Sequence, residues 1–84
     1  MDYQLTEHAR ESLRKRPSIR VEWVERVLLQ PEQVEPDRTD PELEHRIGRI
    51  QESEGRALRV IVKKASKPIK VITCYFDRKM RRQL

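Results

Sequence analysis

The sequence is poor in the residues that build several common kinds of site. It has only two glycines, Gly48 and Gly55. That leaves no glycine-rich loop to wrap a nucleotide phosphate and no G-x-S-x-G turn to expose a serine nucleophile. Its one cysteine, Cys74, excludes an intramolecular disulfide and reads as a small core residue of a protein from a reducing compartment. The two histidines, His8 and His45, are separated from each other and from Cys74 by gaps too long for metal-ligand spacing, so neither a metal nor a cofactor is expected. No apolar run approaches the length of a membrane span, and the opening M-D-Y-Q-L-T-E-H lacks the charged-then-apolar order of a signal peptide. These absences point to a soluble, cytoplasmic protein with no membrane partner.

What is present is charge and periodicity. The 84 residues fit one domain, spanning 1–84, and a hydrophobic content of 36% against 39% charged residues means that its core must be small. The apolar residues are clustered rather than diluted, which argues for a folded chain. Thr6 can cap a first helix carrying Leu5, Ala9 and Leu13 at four-residue spacing, and Pro17 ends it. Ser18 would cap a second helix to about Gln30, with Ile19, Trp23, Val24, Val27 and Leu28 forming a broad apolar arc. Beyond Pro31 lie an acidic connection with an edge strand near Gln33–Glu35, a strand over Leu43–Ile50, a turn at Q-E-S-E-G, a strand over Ala57–Lys63, and a last strand over Ile69–Phe76. Helices followed by hairpin-spaced strands predict an α+β fold, two N-terminal helices packed on a three- or four-stranded antiparallel sheet. Trp23 and Val27 are expected to pack on that sheet through Val60 and Val62.

Charge is segregated along the chain. From Arg56 to Leu84 there are ten lysines and arginines against one acid, a net of +9, whereas Glu22–Glu44 holds eight acids and two arginines, a net of −6. Folded together, these stretches could present a basic face with an acidic rim, a pattern suited to a phosphodiester backbone or to an acidic protein. Ordinary solvated surfaces would look the same in sequence.

Among single residues, His8 lies about 60° from Leu5 on a helical wheel, with Ser12 and Lys15 on the same edge at the next two turns. A histidine at such a lip suits acid–base work or phosphate contact, unless its ring is bonded to a backbone carbonyl. His45, in phase with Leu43 and Ile47, reads as a structural histidine if that phase faces the core. Arg59 and Lys63 share one face of their strand, opposite Leu58, Val60 and Val62. Thr73 and Tyr75 share a face of the last strand. If the two faces coincide, a guanidinium, a hydroxyl and a phenol converge beside the basic tail, where they could clamp a phosphate without a metal.

The segments L-T-E-H-A-R-E-S-L-R-K-R, V-E-W-V-E-R-V-L-L-Q-P-E, D-P-E-L-E-H, R-A-L-R-V-I-V and V-I-T-C-Y-F-D-R-K-M, from about Leu5 to Met80, resemble a bacterial family of small domains of unknown function related to the BrnT toxins. More distantly they resemble the RelE-like ribonuclease toxins. The resemblance implies two helices on an antiparallel sheet and metal-independent cleavage of RNA. In that reading His8 is acid or base, Arg46 and Arg59 bind the phosphate, and Thr73 and Tyr75 position the 2′-hydroxyl. Arg16, Lys63, Arg78, Lys79, Arg81 and Arg82 hold flanking phosphates. The chain departs from the pattern at Ser12, where many members carry an arginine, and Arg16 stands one turn further on. Implied partners are RNA, an antitoxin protein encoded nearby and a second copy of the chain. The alternative is a non-catalytic module binding nucleic acid or protein through the same basic face.

Overall fold

The computed structural model describes residues 2–80. Strand β1 (Tyr3–Leu5) leads into helices α1 (Glu7–Lys15) and α2 (Val21–Leu29). Strands β2 (Gln33–Pro36), β3 (Leu43–Ile50), β4 (Arg56–Lys63) and β5 (Ile69–Phe76) follow. The sheet order is β1-β5-β4-β3-β2. Strands β2 to β5 form an antiparallel meander, and β1 joins the far edge in parallel, Tyr3 beside Ile69 and Leu5 beside Val71. The α+β class therefore holds, but the sheet has five strands and is mixed, not three or four and antiparallel. The extra strand is three residues long, too short for alternation to register, and it takes Leu5 out of the predicted helix.

Thr6 explains where α1 starts. Its hydroxyl accepts from the Ala9 amide (3.2 Å) and donates to the Val71 carbonyl (2.8 Å), so one side chain caps the helix and ties it to β5. The second helix begins later than Ser18 would have it. The Ile19 amide bonds the Arg16 carbonyl (2.9 Å), closing a turn that seats Ile19 in the core. The N-cap is then Arg20, without a side-chain capping bond.

Both helices cover one sheet face. Trp23, Val24, Val27 and Leu28 of α2 share a buried cluster with Leu58, Val60 and Val62, as the apolar arc predicted. Gly48 on β3 permits this approach, since a Cβ there would lie 3.2 Å from Val27. Two polar tethers fix the helices further. Tyr3 donates to Glu25 (2.6 Å), and desolvation together with that carboxylate pushes its phenol up to about 12. Arg46 donates from Nη1 to the Leu28 carbonyl at the end of α2 (2.9 Å). On the opposite face Ile47 and Ala57 bury Met80 in a second, smaller cluster.

Candidate functional sites: a cleft beside α1 and a charged network on the open sheet face

Pairing of β1 with β5 stops at Val71, and α1 then packs along the rest of β5. In β5 the register steps between Thr73, opposite Ile61, and Val71, opposite Val62, leaving Ile72 as the extra residue of a bulge. Bulges re-aim the side chains beside them. Here the Thr73 hydroxyl meets Ser12 of α1 at 2.9 Å. Around this pair is a cleft of about 260 Å³ lined by His8, Glu11, Ser12, Lys15, Arg16 and Thr73. The helical wheel thus placed His8, Ser12 and Lys15 on the same edge as they occur in the fold. Ser12 is buried, and His8 is exposed with no hydrogen-bond partner among the described residues. Lys15 meets Glu11 only at 3.9 Å between two exposed side chains, a contact of little energetic weight. Arg16 closes α1, its amide bonding the Ser12 and Leu13 carbonyls, and its side chain is exposed.

The open face of the sheet is organised differently. Arg59 and Tyr75 are direct cross-strand partners, so the two faces left unaligned in sequence do coincide for this pair. Arg59 is 8% exposed and surrounded by acceptors. Its Nε donates to Asp77 (2.9 Å), and its Nη1 donates to Glu35 (3.0 Å) and to His45 Nδ1 (2.7 Å). A guanidinium can only donate, so Nδ1 carries no hydrogen and Nε2–H must donate to Asp37 Oδ1 (2.7 Å). The bond from His45, with the backbone amides of Asp40 and Thr39, holds the Asp37 carboxyl well below the usual carboxylate range. Burial alone would lower the Arg59 guanidinium, but its bonds to Glu35 and Asp77 together outweigh that effect and it is raised. This face also bears a cleft of about 480 Å³, whose lining includes Arg38, His45, Arg59, Tyr75, Asp77 and Lys79.

The residues expected to act together are thus distributed. His8, Arg16 and Thr73 share the α1 cleft, whereas Arg59, Tyr75 and Lys79 line the open-face cleft. Arg46 points to the helix-covered face, held by Glu44 (2.9 Å) and Leu28. Lys63 reaches Glu42 (3.7 Å), and Arg78 is exposed. Arg81 and Arg82 lie outside the described residues. The acidic connection does not form a separate rim. Glu35, Asp37, Glu42 and Glu44 turn onto His45, Arg46, Arg59, Lys63 and Lys64, and the last three of these are cations of the basic stretch met internally by acids.

Glu35, Asp37 and Asp77 were missed as members of a site. Asp37 had a local signal, since P-D-R-T-D is a turn in which an aspartate accepts from the amides that follow, here Thr39 (3.2 Å) and Asp40 (3.0 Å). For the other two, the partner lies 24 and 18 residues away, a pairing that only the strand register defines. Among the described residues no group of three or more His, Cys, Asp or Glu is arranged to hold a metal ion, and no helix is long and apolar enough to cross a membrane. Burial pushes the Cys74 thiol up, which suits a packing role.

A family model described as Domain of unknown function (DUF4258) matches residues 5–76, and the chain belongs to that family. The match bears out membership of a family of unknown function and carries no link to BrnT or RelE toxins. No curated protein and no solved structure matches the chain.

Proposed function

We infer that this domain binds the phosphodiester backbone of single-stranded RNA along α1 and the neighbouring edge of β5. The observation that carries the reading is the content of one cleft: an imidazole with no partner among the described residues, two exposed cations against one carboxylate, Glu11, and a hydroxyl pair. Lys15 and Arg16 would neutralise phosphates, releasing the counterions condensed on them. Ser12 and Thr73 form one bond between them, so the pair retains a hydroxyl hydrogen and lone pairs for a ribose 2′-hydroxyl. By contrast, Arg46 and Arg59 already spend donors on carboxylates, a carbonyl and a histidine, and neither is assigned to the phosphate backbone.

A second reading, cleavage of the toxin type, is favoured by His8. An imidazole with neither nitrogen bonded among the described residues can take the 2′-hydroxyl proton. The 2′-oxygen would then attack the adjacent phosphorus, giving a 2′,3′-cyclic phosphate and releasing the 5′-oxygen, which takes a proton from solvent. Arg16 and Lys15 would offset the charge that builds on phosphorus. Labelled single-stranded RNA with purified protein in excess chelator tests both readings. Binding at low salt with intact RNA supports the module alone, cleavage lost in His8→Ala with binding retained adds the chemistry, and no binding at low salt removes both.

A further inference from the structure

The open-face cleft has properties that the backbone-binding reading does not use. Arg59 is nine-tenths buried, yet only Nε and Nη1 have partners among the described residues. Its Nη2 has no partner among the described residues, and Arg59 lines the cleft. Beside it Tyr75 is half-buried, with no partner for its hydroxyl among the described residues. Glu35 and Asp77 bond the one guanidinium and Asp37 bonds the neutral His45, so these groups together have a net charge of −2. That excess disfavours a further anion on the floor, and a guanidinium nitrogen that can only donate calls for an acceptor. The floor suits an uncharged ligand that presents acceptors. The rim is opposite in character, since the Arg38 and Lys79 side chains are exposed and unpaired among the described residues.

We propose that this cleft takes a nucleobase, which stacks on Tyr75 and accepts a hydrogen bond from Arg59 Nη2, while Arg38 and Lys79 meet its flanking phosphates. A neutral planar ring joined to an anionic backbone matches a neutral-seeking floor under a cationic rim, and a cleft of about 480 Å³ has the size of a small-ligand site. Thr73, which lines the α1 cleft, and Tyr75, which lines this one, are two residues apart on β5, about 7 Å. A strand held by its phosphates beside α1 can deliver a base here. The proposal rests on the RNA reading for its partner, but it predicts a dependence on bases that backbone contacts do not have.

The test is an anisotropy titration of two labelled ten-nucleotide strands over a salt series, one single-stranded RNA and one with the same backbone lacking bases. The wild-type protein should bind the base-bearing strand roughly tenfold more tightly, the scale of one aromatic stacking contact. Tyr75→Leu should abolish that ratio and leave the salt slope unchanged, whereas Tyr75→Phe should keep the ratio. Equal binding of both strands by the wild type, or a ratio that survives in Tyr75→Leu, overturns the proposal and leaves the backbone reading standing. Failure of both strands to bind overturns the two together. Should Tyr75→Leu not fold, side-chain resonances of Arg59 and Tyr75 in the wild type decide: they should move with the base-bearing strand only, and no movement refutes the site.

Discussion

The two histidines stand in opposite circumstances. His45 is half-buried with both ring nitrogens engaged, one by an arginine and one by an aspartate. His8 is exposed, with neither nitrogen bonded among the described residues, in a cleft whose cations have at most a weak partner. A group whose hydrogen-bonding capacity is fully used holds a structure together. One with unused capacity is available to a ligand. In this domain the same residue types therefore do different work, and the partners of each decide which. The +9 of the last third overstates the positive surface, because Arg59, Lys63 and Lys64 are answered by Glu35, Asp77, Glu42 and Glu44.

Substitutions should separate the two regions by their effect on stability. The reference for a large loss is Trp23→Ala, which empties the centre of α2's packing face and belongs to neither cleft. It should cost about 3–5 kcal/mol, most of what so small a domain has, and denaturant titration should find it largely unfolded. Arg59→Met should come next, at about 3 kcal/mol, because it leaves Asp77, Glu35 and His45 without their shared donor. A loss below about 0.5 kcal/mol, the range of an ordinary surface change, would mean that the network is not structural. Ser12→Ala should cost about 1 kcal/mol by stranding the part-buried Thr73 hydroxyl, and Ser12→Thr should recover part of it.

The network also predicts a pH dependence. Asp37 titrates below its ordinary value of 3.8 in the folded protein, chiefly through its bond from His45. Glu52 is lowered from 4.5 to about 2, chiefly by the Arg26 guanidinium. A carboxyl with a depressed folded value contributes stability that is present above its unfolded value and is lost as pH falls through the folded one. The urea midpoint should therefore be level near neutrality and decline from about pH 4.5 toward 2 as these two groups are protonated. In His45→Asn the decline should be shallower, since Asp37 loses the main cause of its shift. An equal decline in both proteins would remove His45 from the account.

Much of the frame was legible in the sequence. Strand alternation located Leu43–Ile50 and Ile69–Phe76 with the bounds they have in the fold, and a threonine before an acidic first turn located the start of α1. The wheel also put His8, Ser12 and Lys15 on one edge. What stayed hidden depends on contacts between distant segments. The β1 strand is held by a parallel neighbour more than sixty residues away, and Arg20 replaces Ser18 as a cap because Ile19 is drawn into the core first. Arg59 was recognised as a site residue, but its role turns on Glu35 and Asp77, which strand register brings to it and composition does not.

The sharpest test of the difference between the regions is the salt dependence of RNA binding by the double variant Lys15→Gln/Arg16→Gln. Both side chains are exposed, so its melting temperature should match the wild type. If the cleft beside α1 holds phosphates, two lost contacts should flatten the slope of log affinity against log salt by roughly 1.4, at about 0.7 per phosphate on a single strand. An unchanged slope in a folded double variant would contradict the assignment of the α1 cleft as the surface that meets RNA.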